Sequence, residues 1–290
     1  MILKNIVRHL KYLIVFLPLI LSSCFLFINE ANDIQPFRLS GEEIYIAQLK
    51  ESYKKTQRFN KIFSKIGSKR FKPYYYFINK KFVVVGIYNI QKSRYVIIKN
   101  KKGELFKFLF NDTFDNGLNL PSFIVINEIY LDAKKLIGKE VWLNDVNDEY
   151  GFHSDFIYNF ERFQKVKVID VIRFQNSDAG YPVWLKIVSK NGHIGLARYN
   201  VQGVRFGIKD NYFISNPLKP VWGKDILKNI KNNQTAIGMT ENQVRIAIGY
   251  PDKINFTSSM HGISEQWIYS HSNKNIYYQF EYGKLIYVLD

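Results

Sequence analysis

The sequence contains very little cysteine: Cys24 is the only one among 290 residues. No intramolecular disulfide can form, so each folded domain must be held together by apolar burial. The composition allows this, because 47% of the residues are hydrophobic and 23% are charged. Acidic residues are also scarce, with 25 Asp and Glu against 41 Lys and Arg. The formal charge of +16 indicates a polyanionic partner or an anionic membrane surface.

Motifs that would carry catalysis are missing as well. The sequence has no Gly-x-Ser-x-Gly elbow, no P-loop and no Gly-x-Gly-x-x-Gly loop. His153 and Asp155 could supply two metal ligands, but such a site usually needs a third. We therefore expect no catalytic residues, no metal and no enzyme activity. A hydrolase stays open as an alternative, and it would require a pocket with convergent polar groups.

The amino terminus has the pattern of a secretory signal. Lys4, Arg8 and Lys11 form a positive start, an uncharged apolar run follows from Tyr12, and Leu21-Ser22-Ser23-Cys24 closes the run. These four residues resemble the bacterial lipobox at every position. The resemblance implies cleavage before Cys24, a diacylglycerol on its thiol and an N-acyl chain, with no other cofactor.

An uncleaved signal anchor is the alternative interpretation of this segment. Tyr12 to Ile28 is a run of 17 uncharged residues, near the lower limit for a spanning helix. Pro18 inside the run weakens a straight helix, and the cysteine falls where the lipobox requires it. We therefore predict a lipid-anchored protein of the cell envelope. Export removes nucleic acid from the expected partners. Phe25 after the cysteine favours the outer membrane over the inner one.

Residues 40–72 predict a basic amphipathic helix. Ser40 and Glu43 form a capping-box pattern, and apolar residues recur downstream at helical spacing. Cations dominate the segment, among them Lys54, Lys55, Arg58 and Lys61. Such a helix could lie on anionic headgroups. Alternatively, it packs one stripe on the next domain and leaves a solvated lysine face.

Residues 73–213 predict short β-strands. One hairpin turns at Lys101-Lys102-Gly103 and a second at Lys190-Asn191-Gly192, and the two align as a weak internal repeat. The second copy opens with residues 138–142 and is similar to bacterial SH3-like domains, in which an aromatic groove binds wall peptides or proline-rich segments. The resemblance assigns Trp142 and Trp184 to a possible binding surface. A purely structural β module is the alternative.

Residues 214–290 predict two helices followed by three strands. Thr240 and Gln243 form a capping box, and Gly249-Tyr250-Pro251 ends the helix. Gly238-Met239-Thr240, Trp267-Ile268-Tyr269 and Gly283-Lys284-Leu285 complete a pattern that resembles the outer-membrane lipoprotein family BamE (SmpA/OmlA). Members of that family assist assembly of outer-membrane β-barrels. Trp267 and Tyr269 are predicted either to pack in the core or to form an exposed aromatic strip.

The sequence thus predicts an α+β chain with one or two small SH3-like barrels and a C-terminal ααβββ module. The predicted segments are a signal peptide (1–23), a tether (24–39), the basic helix (40–72), a first β module (73–136), a second, SH3-like module (137–213) and the BamE-like module (214–290). The expected function is a non-catalytic envelope scaffold with protein partners. The alternative is binding of peptidoglycan, an anionic polymer or anionic lipid.

Overall fold

The computed structural model divides the chain into two compact units, Met1–Phe114 and Asp115–Asp290. The residues it describes are 33–49, 61–90, 92–110, 120–146, 151–153, 160–175, 181–202, 208–259, 262–271 and 274–289. The predicted signal and Cys24 lie outside these ranges.

The predicted α+β fold is wrong, because the described part of the chain is mostly β. Strands account for 45% of it and helices for 14%, with three α-helices. In place of small closed barrels the structure has two sheets that curl into half-barrels, and a separate four-stranded sheet. None of these three helices is long and apolar enough to cross a membrane.

The predicted helix over 40–72 is also wrong in the described parts of that segment, which contain strands. In β1 (Glu43–Ile46) burial alternates along the chain, with Ile44 and Ile46 fully buried. This period of two is that of a strand paired to its neighbour, not of a helix. The Ser40 hydroxyl accepts the Phe37 N–H at 2.9 Å and stabilises a turn instead of capping a helix. Residues 50–60 lie outside the described residues.

The sheet of the first unit contains strands in the order β4-β3-β7-β6-β5-β1. Their bounds are β1 Glu43–Ile46, β3 Phe63–Lys65, β4 Phe71–Lys72, β5 Lys81–Ile90, β6 Ser93–Lys99 and β7 Leu105–Leu109, and the short strand β2 is Gln48–Leu49. A 3-10 turn, Tyr74–Tyr76, precedes β5. Residues from the end of the predicted tether join this fold, because Gln35 bridges to Ile87 and Leu39 is buried.

The second unit begins with β8 (Ile124–Ile126) and α1 (Asn127–Lys134), followed by a sheet in the order β10-β13-β12-β11-β9-β14. The strands of that sheet are β9 Glu140–Leu143, β10 Phe152–His153, β11 Lys165–Gln175, β12 Val183–Val188, β13 Ile194–Arg198 and β14 Tyr212–Phe213. Every pairing is antiparallel.

The predicted alignment of the two hairpins is confirmed, and it extends to hydrogen bonds. Gly103 and Gly192 have φ values of 81° and 82°, the left-handed conformation that glycine adopts without strain. Their N–H groups donate to the carbonyls of Asn100 and Ser189, each at 3.0 Å. The long strands β5 and β11 both shift register opposite the residue five positions before the turn glycine. The second half-barrel therefore repeats the backbone of the first.

The C-terminal part has the two predicted helices, α2 (Lys224–Lys231) and α3 (Glu241–Ile248). The capping box at the start of α3 is confirmed, since the Thr240 and Gln243 side chains each accept the other's backbone N–H. The predicted three strands are wrong, because the sheet has four. They are β15 Lys253–Ser259, β16 Gly262–His271, β17 Lys274–Glu281 and β18 Lys284–Leu289. The missed strand, β15, has few large apolar residues and pairs along its whole length with β16.

Candidate functional site

A half-open groove in the first unit is the strongest candidate site. It has a volume of about 660 Å³ and lies between the segment around the 3-10 turn Tyr74–Tyr76 and the turn that joins β6 to β7. The residues that line it are Tyr45, Lys72, Tyr76, Phe77, Asn79, Lys80, Lys81, Phe82, Asn100, Lys101, Lys102, Glu104 and Phe106. We call this set the basic groove, because five of its members are lysines.

The acid of the basic groove is already engaged. The Glu104 carboxylate accepts a hydrogen bond from Lys65 Nζ at 2.5 Å and another from the Asn100 amide at 2.8 Å. These bonds, that from Lys65 above all, lower the pKa of Glu104 below its ordinary value. Lys81 forms an ion pair with Glu43, and this hydrogen bond raises the pKa of Lys81. The charge of Lys102 also lowers the pKa of Glu104, but five lysines and only one acid line the basic groove, so an excess of positive charge remains.

Four lysines supply that excess of positive charge. Among the described residues, no carboxylate lies within ion-pair distance of Lys72, Lys80, Lys101 or Lys102. All four are exposed. Lys80 Nζ donates to the carbonyl of Tyr76, which orients the ammonium group beside the groove without neutralising it. The groove therefore concentrates cations where an anion can enter from solvent.

Aromatic rings form the floor and one rim of the basic groove. Phe77, Phe82 and Phe106 are buried, and Phe77 meets Phe106 edge to face with 5.2 Å between ring centroids. At the rim, Tyr75 and Tyr76 stack at 4.6 Å with each side chain 52% exposed. A hydrogen bond to Tyr76 raises the pKa of Tyr75, so the Tyr75 phenol is neutral at ordinary pH. The rim thus offers a flat, apolar contact next to the charges.

The turn that carries Lys101 and Lys102 is fixed by Asn100. Its Oδ1 atom accepts the backbone N–H groups of Lys102 and Glu104, each at 2.9 Å. Gly103 provides the positive φ that the turn requires. Side-chain hydrogen bonds of this kind are typical of Asn in turns. The two lysines are consequently held on a defined backbone while their side chains remain in solvent.

Three of the aromatic residues predicted for a binding surface lie in the interior. Trp184 and Trp267 have no exposed surface, and Tyr269 is 4% exposed. The Trp184 indole donates to the Phe174 carbonyl at 2.7 Å, and the Tyr269 hydroxyl donates to the Gly249 carbonyl at 2.9 Å. These side chains pack in cores, as the alternative interpretation for Trp267 and Tyr269 had it, and they cannot contact a partner.

The other predicted site residues fall in different places. Trp142 is half-buried on β9, with Lys165 Nζ 5.8 Å from its ring centroid. Lys61 is exposed. Lys54, Lys55 and Arg58, like Leu21, Ser22, Ser23 and Cys24, lie outside the described residues. The described aromatic and basic residues of the predicted surface are therefore not assembled into one site.

None of the residues of the basic groove is among the predicted site residues. The sequence pattern indicates Lys101 and Lys102 only as turn residues, and Lys72 only as part of the predicted helix over 40–72. A usable signal exists, because Tyr74-Tyr75-Tyr76 is followed closely by Lys80-Lys81. Aromatic residues close to paired lysines indicate a surface that offers flat ring contacts and positive charge together.

Within the described ranges, no group of three or more His, Cys, Asp or Glu residues is placed to hold a metal ion. No protein-family model matches the chain, and no curated protein or solved structure matches it.

Proposed function

We propose that this chain is a lipid-anchored protein of the cell envelope whose basic groove binds an anionic polymer through carboxylate or phosphate groups. Peptidoglycan and the polymers attached to it have this chemistry. The observation that carries the proposal is the placement of four exposed lysines without carboxylate partners around an open groove with an aromatic floor. Anchoring through acylated Cys24 would place the protein in that compartment.

Binding by the basic groove would depend on charge and on ring contact together. Each hydrogen bond between a lysine and an anionic oxygen contributes about 1.5–3 kcal/mol when it is partly shielded from water. Such contacts weaken as salt is added, because charges are screened over about 8 Å at physiological ionic strength. The stacked Tyr75 and Tyr76 rings offer an apolar face against which a sugar ring can lie. The contact does not require a catalytic group.

The test is co-sedimentation of the full chain, held in detergent, with purified peptidoglycan across a salt series. We expect pelleting at low salt that declines as salt rises. The double variant Lys101→Glu, Lys102→Glu should lose at least about tenfold in apparent affinity, which corresponds to about 1.4 kcal/mol. Peptidoglycan stripped of attached phosphate polymers, run in parallel, distinguishes carboxylate from phosphate as the bound group.

Lys190→Glu is the matched control, because Lys190 occupies the same kind of turn in the second half-barrel and is exposed. It should leave pelleting unchanged. Absence of pelleting at low salt would refute the proposal, as would equal binding by the double variant and the wild type. Thermal melting of each variant verifies that the fold is retained.

A scaffold with protein partners is the second candidate function. It is favoured by two exposed apolar side chains that lie two residues apart on the edge strand β18, Tyr287 at 56% and Leu289 at 49% exposed. Large exposed apolar side chains that cluster often mark protein contacts. Crosslinking in the native envelope followed by pull-down tests this function, and recovery of barrel-assembly components would support the resemblance to BamE. No recovery of any envelope protein would count against it.

A further inference from the structure

The helix α2 has a continuous basic face. Lys224, Lys228 and Lys231 recur at intervals of four and three residues, which places them on one side of the helix. All three are exposed. Together with Leu227 and Asn232 they line a shallow surface depression of about 380 Å³. This depression is separate from the basic groove, which belongs to the first unit.

The opposite side of α2 fixes the direction of that basic face. Ile230 is fully buried in the C-terminal core, and Ile226 packs against the same core. Leu218 and Trp222, in the segment before the helix, also pack there. The apolar side of the helix is thus occupied, so the lysines point to solvent and cannot turn inward.

An apolar side chain protrudes immediately before the basic face. Val221, in the 3-10 turn Pro220–Trp222 that leads into α2, is 87% exposed. Val221 has the highest exposure among the exposed large hydrophobic residues in the described part of the chain. Lys219 lies two residues before it, with its ammonium group 6.0 Å from the centroid of the Trp222 ring. Exposure of Val221 on an ordered turn is unexplained by the packing of this chain.

Charge in this segment is nearly all of one sign. Residues 214–232 contain Lys219, Lys224, Lys228 and Lys231 but only one acid, Asp225. Among the described residues, none of the four lysines has a carboxylate within ion-pair distance. An extended cationic strip with an apolar tip complements a surface that is negatively charged outside and apolar just beneath.

We propose that α2 and the turn before it dock on an anionic lipid bilayer, with Val221 entering the interface and the lysines contacting headgroups. The docking face comprises Lys219, Val221, Lys224, Leu227, Lys228 and Lys231. A bilayer suits it better than an acidic protein does, because the depression is shallow and the apolar tip stands out instead of forming a pocket. The inference does not rest on the basic groove or its ligand.

A weak contact of this kind is effective when the protein is already tethered to the same membrane. Tethering turns the second contact into an intramolecular event with a high effective concentration. A helix that lies on the surface would then hold the second unit in a preferred orientation to the bilayer. Attraction between lysines and anionic lipid falls off within a Debye length, so the contact is sensitive to salt.

The test places an environment-sensitive fluorophore at Val221→Cys in the full chain, reconstituted into vesicles. The matched control carries the same label at Lys190→Cys, on an exposed turn of the same unit. Any label on Cys24 is common to both proteins and cancels. Vesicles of phosphatidylcholine alone are compared with vesicles that also contain phosphatidylglycerol.

We expect a blue shift and a rise in intensity of at least ~twofold at position 221 in anionic vesicles only, reversed by salt, because the probe leaves water for the interface. The control should not respond. Adding Lys224→Gln, Lys228→Gln and Lys231→Gln to the labelled protein should abolish the response. If this triple variant misfolds, the corresponding triple Glu variant is measured in its place.

The proposal is overturned if the probe at position 221 responds no more than the control. It is also overturned if the response persists in the well-folded Gln variant. A response that requires an added acidic protein instead of anionic lipid would assign the docking face to a protein partner and equally refute the bilayer.

Discussion

The two half-barrels share one backbone plan but differ in the charge that they display. In each, a glycine with positive φ, Gly41 or Gly138, donates its N–H at 2.8 Å to a carbonyl of the long strand. A four-residue strand follows, β1 or β9, and pairs with the long strand. The ion pair between these strands is repeated too, as Lys81 with Glu43 and as Lys165 with Glu140. Such detail shows that the backbone plan does not depend on which residues occupy its surface.

The difference lies in the side chains placed on that plan. The turn of the first half-barrel presents Lys101 and Lys102, whereas the turn of the second presents Lys190 and Asn191. Trp142 of β9 stands at the position that Tyr45 occupies on β1, where the basic groove begins. The shared backbone therefore supplies a shape, and the turn residues decide whether that shape attracts anions.

Arg162 marks the point where the second half-barrel departs furthest from the first. Its guanidinium donates to Asn144 Oδ1 at 3.0 Å, to the Ile230 carbonyl at 2.9 Å and to the carbonyls of Ile246 and Ala247 at the end of α3. Burial lowers the pKa of Arg162 to about 10, which still leaves the group charged at neutral pH. This side chain joins the second sheet to both C-terminal helices.

The largest effect is expected for Arg162→Ala, which would remove the link between the second sheet and both C-terminal helices. Its loss takes a donor from each of the partly buried carbonyls of Ile230, Ile246 and Ala247, so we expect a destabilisation of about 3 kcal/mol or more. Urea unfolding followed by circular dichroism measures it. Arg162→Lys should recover only part of the loss, because one ammonium group cannot reach all of these acceptors. A change below 1 kcal/mol in the Ala variant would show that the link is not important for stability.

The long strands β5 and β11 should differ in how they tolerate a side chain at the residue that follows the register shift. A Cβ at Gly86 would lie 2.4 Å from the Gln35 carbonyl oxygen, and backbone cannot move aside cheaply. Gly86→Ala should therefore cost about 2 kcal/mol. In the second half-barrel Asp170 holds the corresponding place, so Asp170→Gly should cost about 1 kcal/mol or less. Thermal melting of both variants compares them, and equal losses would contradict the expected asymmetry.

The turn glycines should behave alike, because their geometry is the same. Gly103 and Gly192 both have positive φ, and nothing lies within 4 Å of a Cβ at either position. Gly103→Ala and Gly192→Ala should each cost about 1 kcal/mol from backbone strain alone. Denaturant titration measures the destabilisation of each variant. Values that differ severalfold would show that the two turns are not equivalent.

The smallest effect is expected from acidification of the first turn, which contains Glu104. The pKa of Glu104 is lowered in the folded state, so its contribution is present above the ordinary value of 4.5 and is lost as pH falls through the lowered pKa. The stability difference between wild type and Glu104→Gln should therefore shrink at acid pH. Melting curves of both proteins at several acidic pH values measure this difference. A difference that grows as the pH falls would contradict the lowered pKa of Glu104.

Local signals predicted individual elements correctly, although the predicted fold class is wrong. The hairpins were found because a turn glycine separates runs of β-branched and aromatic residues, as at Gly103 and Gly192. The capping box at Thr240 predicted the start of α3, because its hydrogen bonds involve residues only three positions apart.

The failures arose where distant partners decide the outcome. Tyr45 and Leu49 have helical spacing in the sequence, but pairing of β1 with β5 makes this segment a strand in which Ile44 and Ile46 are the buried residues. The basic groove was missed for a related reason. Tyr45, Lys80 and Lys101 are far apart in sequence and meet only because the sheet brings their segments together. A basic amphipathic helix does exist, but as α2, where burial of Ile230 fixes its face.

The bridge between Gln35 and Ile87 also sets the working distance of the first unit. Gln35 is the eleventh residue after Cys24. At no more than ~3.6 Å per residue, the segment from Cys24 to Gln35 can span at most about 40 Å. If Cys24 is acylated, the point on β5 where Gln35 pairs stays within this distance of the bilayer. Any polymer that binds to the first unit is then held close to the lipid.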